Sequence, residues 1–125
     1  MRLLLDTHIF LWAVAGSVSL TAKARKTIEA AEAVFVSAAS IWEIAIKTRL
    51  RKINADPDAL VAAIDASGFI ELPVLAAHAA RVGALPPLHT DPFDRLLVAQ
   101  AIAEPLRLLT ADAALKAYSE LVTVV

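Results

Sequence analysis

Short, unbroken apolar runs constrain this chain most. Leu3-Leu-Leu5 within Arg2-Leu-Leu-Leu-Asp6 and Ala33-Val-Phe-Val36 before Ser37 carry no polar residue on either alternate position. A strand with one wet face alternates apolar and polar residues, so runs of this kind belong to parallel strands covered on both sides. Phe69 to Leu72, Leu106 to Thr110 and Val122 to Val125 are predicted as three further strands. Helical patterns separate them. Thr7 to Ala15 is expected as a helix stopped by Gly16. A second runs from a cap at Ser19 or Thr21 to about Ala31. Ser40 to Leu50, Pro57 or Asp58 to Ser67, Leu75 to about Ala84, Pro92 to Ala103 and Ala113 to Ser119 follow. Gly68 is expected to end the fourth of these, and Pro86-Pro87 to force an irregular stretch before Pro92. Strand and helix alternate throughout, which predicts an α/β fold with a mainly parallel sheet.

The chain has 125 residues, of which 58% are hydrophobic. That length suits one domain, expected to span residues 1–125. Ordinary soluble domains are about 45–50% apolar, so there is a surplus. A membrane helix does not account for it, because the longest apolar run, Ile9 to Ala15, is far below the roughly 20 residues of a span. The excess is expected in a two-sided sheet and in surfaces that meet a partner. Twelve Lys and Arg against thirteen Asp and Glu give a net charge of −1, which excludes nucleic-acid binding driven by bulk charge. A local basic cluster remains at Lys47, Arg49, Arg51 and Lys52. Cys is absent, so no disulfide framework exists. Asp6 and His8 interrupt the first apolar stretch, leaving no secretory signal pattern, and a cytoplasmic protein is expected.

Ligands of open parallel sheets bind beyond the carboxyl ends of the strands. Acids stand there. Asp6 ends the first strand and Asp112 follows the fourth. Glu43 lies one turn into the helix after the second strand, and Asp94 in the first turn of the helix opened by Pro92. Each has a structural reading. Asp6 and Asp112 suit helix caps, Asp91-Pro92-Phe93-Asp94 is good helix-start chemistry with Asp91 as the cap, and Glu43 can pair with Lys47 at i,i+4. Together they suggest more. Clustered carboxylates repel one another, so a group of them takes up protons or a cation. Oxygen ligands suit Mg²⁺ and Mn²⁺.

Four segments carry a family resemblance: Leu4-Leu-Asp-Thr-His-Ile-Phe-Leu-Trp12, Val36-Ser-Ala-Ala-Ser-Ile-Trp-Glu-Ile-Ala-Ile-Lys47, His89-Thr-Asp-Pro-Phe-Asp-Arg-Leu-Leu-Val-Ala-Gln-Ala101 and Leu108-Leu-Thr-Ala-Asp112. In this order they resemble a PIN domain, specifically the VapC-type toxins of bacterial toxin–antitoxin pairs. The resemblance covers nearly the whole chain. It implies a three-layer α/β/α sandwich around a five-stranded parallel sheet of order 3-2-1-4-5, and a metal-dependent endoribonuclease that hydrolyses RNA phosphodiesters. It assigns Asp6, Glu43, Asp94 and Asp112 as the catalytic and metal-binding acids, with Asp6 and Asp94 as direct ligands of Mg²⁺ or Mn²⁺. It further implies an RNA substrate, a VapB-type antitoxin and a homodimer or toxin–antitoxin hetero-oligomer. A basic side chain of the antitoxin would pair with Asp6 and Asp94.

Around these acids, Thr7 and Thr110 are candidates to orient a water or a carboxylate. Arg95 is a candidate for phosphate or for an acid, and Lys47 with its basic neighbours for an RNA path. His8 and His89 lack the paired spacing of a zinc site; His8 is expected near the rim and His89 in a loop. Helix faces around Phe10, Trp12, Ile41 and Trp42 are expected to be exposed for a second copy or an antitoxin. The alternative is a non-catalytic interaction module that keeps the acids for folding. A phosphotransfer receiver is disfavoured, because Asp6 stands between Leu5 and Thr7 without a neighbouring acid.

Overall fold

The computed structural model describes residues 1–125. Five strands form one sheet: β1 (Arg2–Leu5), β2 (Ala33–Ser37), β3 (Ile70–Leu72), β4 (Arg107–Thr110) and β5 (Val122–Val124). Their order is β3-β2-β1-β4-β5, and every pairing is parallel. Leu5 lies opposite Val36 on one side and Leu109 on the other. The six helices are α1 (Thr7–Ala15), α2 (Ala22–Ala30), α3 (Ala38–Arg49), α4 (Pro57–Ala66), α5 (Ala76–Val82) and α6 (Pro92–Ala103). No helix is long and apolar enough to cross a membrane.

Strand pleating splits the core. Leu3, Leu5, Val34, Val36 and Leu109 pack with Ile9, Phe10, Ala24, Ile44, Leu60 and Ile64, so α1 to α4 cover one face. Leu4, Leu108 and Val122 pack with Leu97, Val98 and Ala101, so α6 covers the other. Leu3, Leu4 and Leu5 are all fully buried because successive side chains of β1 enter opposite layers. This is the expected α/β/α sandwich.

Strands pass into helices almost without loops. Asp6 is the single residue between β1 and α1, and its side chain accepts from the Ile9 backbone N–H. Ser37, the last residue of β2, caps α3 in the same way through the Ala39 N–H. That cap starts α3 at Ala38, two residues before the expected Ser40. Asp91 caps α6, with Pro92 in its first turn. Gly16 (φ 62°) and Gly68 (φ 77°) follow the ends of α1 and α4 in the left-handed conformation that glycine adopts at little cost.

Several expectations need correction. Ala113–Tyr118 is a 3-10 helix, not an α-helix, because Asp112 caps a tight turn that must return within a few residues to β5. α5 stops at Val82, before Gly83. Phe69 and Leu106 lie just outside their strands. Phe10 is 0% exposed and belongs to the core, not to a partner surface. The run Ile9 to Ala15 is apolar all round, so its periodicity does not reveal which face turns inward. Trp12 and Ile41 are half-buried, while Trp42 is 61% exposed.

Candidate metal centre

Asp6 and Asp112 converge because β1 and β4 are hydrogen-bonded neighbours. The Asp6 N–H donates to the Leu109 carbonyl at 3.0 Å, extending the ladder to the sheet edge. Thr110 then joins the two acids. Its hydroxyl donates to Asp6 Oδ2 at 2.5 Å and accepts from the Asp112 N–H at 3.0 Å. Thr110 thus bridges the ends of the two strands. Asp6, His8, Trp12, Asp94, Ala111 and Asp112 line an open cleft of about 330 Å³.

Glu43 reaches the same region from α3 but lies beneath the cleft rather than on its wall. It is 2% exposed, and both of its oxygens are engaged. The Thr7 hydroxyl donates to Oε1 at 2.6 Å, and Lys47 Nζ donates to Oε2 at 2.5 Å. The Ser40 hydroxyl lies 3.0 Å from that of Thr7. Thr7 therefore supports the site through Glu43. Lys47 neutralises a buried carboxylate within its own helix, and Glu43 in turn raises the Lys47 pKa.

The Asp94 carboxylate receives no hydrogen bond, and its Oδ2 lies 3.8 Å from His89 Nε2. Burial first, then the charges of Asp91, Asp6 and Glu43, push its carboxyl up to about 7. Burial also raises Asp6, against the lowering by its hydrogen bonds from Thr110 and Ile9. Two acids at one sheet edge are thus held in surroundings that disfavour their charge. Carboxylate oxygens crowded in this way form a donor set of the kind that hard divalent cations take, and the residues present fit such an ion.

Sequence reasoning placed His89 in a loop but did not join it to the acids. It comes from the loop between α5 and α6, and its Nε2 lies 3.1 Å from Asp112 Oδ2. Potential ligand atoms of His89, Asp94 and Asp112 lie within 4.8 Å of one another. The local signal was the two-residue step to Asp91, whose N–H donates to His89 Nδ1 at 3.0 Å. His8 stands at the exposed rim as expected.

Arg95 is a correction. It touches neither an acid nor the cleft. Its guanidinium donates to the carbonyls of Val82, Leu85 and Pro86 and to the Tyr118 hydroxyl. One helical step past Asp94 turns the side chain by about 100°, toward the α5–α6 loop. Arg95→Ala is expected to lower stability by about 1–3 kcal/mol, the scale of hydrogen bonds from a charged group. Urea denaturation measures it; an unchanged midpoint would show that the loop holds without the guanidinium.

A parallel five-stranded sheet with carboxylates gathered beyond the carboxyl ends of β1 and β4 defines an α/β domain with an acidic centre at one sheet edge. The PIN domain profile matches residues 3–121, and the chain belongs to the PIN domain family. A search of curated proteins returns no match. Among solved structures, the fold is similar to a chain of a toxin–antitoxin complex from Klebsiella pneumoniae, with a TM-score of 0.69 and 20% identity over 98% of this chain and 96% of that one. It is also similar to a chain of VapBC2 from Rickettsia felis bound to a DNA fragment from their promoter (0.71, 18%, 100% and 98%). A third is FitAcB from Neisseria gonorrhoeae (0.62, 19%, 92% and 90%).

Proposed function

We propose that this chain is a VapC-type toxin: a Mg²⁺- or Mn²⁺-dependent endoribonuclease held in check by a VapB-type antitoxin. The observation that carries the reading is the cleft in which Asp6, Asp94 and Asp112 face one another while Lys47 compensates Glu43 beneath them. Family membership supports the nuclease class, and the similar folds found in toxin–antitoxin complexes support the partner.

Asp6, Asp94 and Asp112 would hold the ion. When bound, it supplies a water of lowered pKa and offsets charge at the attacked phosphate. The chain's own residues supply order. Thr110 fixes Asp6 relative to Asp112, and Thr7 with Lys47 fixes Glu43, whose charge faces Asp6 and Asp94. An RNA strand entering the cleft brings negative charge to the acids, so productive binding and cation binding go together. The antitoxin reading uses the same field: a basic side chain placed against Asp6 and Asp94 compensates them and closes the cleft. An exposed apolar groove formed by Trp42, Ala79, Val82, Pro92, Phe93 and Leu96 adds a surface for that partner or for a second copy. The assembly is read as cytoplasmic.

Brief induction of the parent chain, followed by transcriptome-wide mapping of 5′ ends, is expected to show new ends at a small set of sites. These ends should be absent with Asp6→Ala, and cleavage by the purified chain should stop in EDTA and return with Mg²⁺ or Mn²⁺. Cleavage that survives EDTA or Asp6→Ala refutes the metal mechanism. No cleavage and no growth arrest from the parent would instead favour a non-catalytic interaction module.

A further inference from the structure

We infer that His89 is a positioning residue: it presents a tautomerically fixed Nε2–H that holds the Asp112 carboxylate ready for a divalent ion without ligating that ion. The inference rests on the reading of the cleft as a metal centre. By composition, His89, Asp94 and Asp112 resemble a mixed nitrogen and oxygen ligand set, with candidate atoms within 4.8 Å of one another. The two ring nitrogens decide otherwise.

His89 Nδ1 lies 3.0 Å from the backbone N–H of Asp91. A backbone N–H only donates, so Nδ1 must offer its lone pair. In the neutral ring the proton then sits on Nε2, which donates to Asp112 Oδ2 at 3.1 Å. A nitrogen that carries a proton has no lone pair for a metal. Ligation through Nε2 would move the proton to Nδ1 and set it against the Asp91 N–H, donor facing donor. That N–H has little freedom to turn away. The Asp91 side chain caps α6 by accepting from the Phe93 and Asp94 N–H groups, and Pro92 between them has a fixed φ. The preceding loop is tied down by Arg95 through the carbonyls of Val82, Leu85 and Pro86.

Asp112 is held from both sides. Oδ1 accepts from the Ala114 N–H at 3.0 Å, and Oδ2 from His89. Each oxygen keeps a second lone pair for a cation. Hydrogen-bond partners of ligating carboxylates orient them, and losing one costs about 10–100-fold in metal affinity.

The test is Mn²⁺ binding to the full chain by calorimetry, with pulsed electron paramagnetic resonance on the loaded protein. His89→Ala is expected to bind Mn²⁺ at least about 10-fold more weakly. His89→Gln, whose amide N–H reaches toward the same carboxylate, should recover most of that loss. The loaded parent should show no directly coordinated nitrogen. Equal affinity in parent and His89→Ala, or a ring nitrogen coupled to Mn²⁺, overturns the inference and leaves the metal centre standing. A parent chain that binds no Mn²⁺ overturns the metal reading, and the inference falls with it. Should His89→Ala fail to fold, ¹⁵N NMR of the metal-free parent decides: Nε2–H supports the inference, and Nδ1–H overturns it.

Discussion

Asp94→Asn will be more stable than the parent at pH 8 and will lose most of its RNA cleavage. Folding lifts the Asp94 pKa from 3.8 to about 7, so between those values the folded chain binds more protons than the unfolded one. Stability therefore falls as pH rises through that window, and above about pH 7 the penalty is fully present. Roughly three units at about 1.4 kcal/mol each set a ceiling near 4 kcal/mol. Asn removes the charge, and no hydrogen bond is lost because Asp94 accepts none from the chain; a gain of about 1–4 kcal/mol is expected at pH 8. Below about pH 4 parent and variant should melt together. Saturating Mg²⁺ should narrow the gap at pH 8 by stabilising only the parent. Cleavage should fall about 100-fold or more, since several kcal/mol of charge stabilisation leave with the ion. Thermal melts at pH 4 and 8, with and without Mg²⁺, check the stability terms. An Asp94→Asn chain less stable than the parent at pH 8 would contradict the repulsion described.

Lys47→Met will destabilise the chain, and Glu43→Gln in the same molecule will restore much of the loss. Glu43 is buried, and Lys47 is its countercharge at 2.5 Å. Breaking a fully buried pair costs about 3–5 kcal/mol; with the Lys47 side chain 28% exposed, about 2–3 kcal/mol is expected. In the double variant, Thr7 still finds an acceptor and no unpaired charge remains. A double-mutant cycle in urea measures the coupling. Unchanged stability in Lys47→Met, with weaker RNA cleavage, would return Lys47 to the RNA path proposed for the basic cluster.

The acids of the cleft and their neighbours show how far the chain could be read from its letters. Asp6 and Asp112 were legible because strand ends define one edge of a parallel sheet, and β1 and β4 are neighbours there. α6 was read to its limits because Asp91 and Pro92 mark its start chemically. Glu43 was legible as a helical acid, but its burial depends on α3 docking against α1 and on Thr7 reaching across from the strand-one junction. Arg95 and His89 escaped for a different reason. Both act through the loop around Pro86-Pro87, which has no period to read. Its path is set by guanidinium contacts to carbonyls and by one ring bridging to a carboxylate 23 residues away. Phe10 escaped because a helix apolar on all sides carries no directional information.

The place of β1 at the centre of the sheet has a temporal consequence. It is synthesised before the other four strands, yet Asp6 at its carboxyl end meets Thr110 across 104 residues of sequence. A chain still leaving the ribosome can pair β1 with β2, and β2 with β3, while the other side of β1 stays bare and Asp112 is not yet made. The acidic edge closes only once β4 and Asp112 have been translated. A protein proposed to damage its host's RNA would then pass through synthesis unarmed.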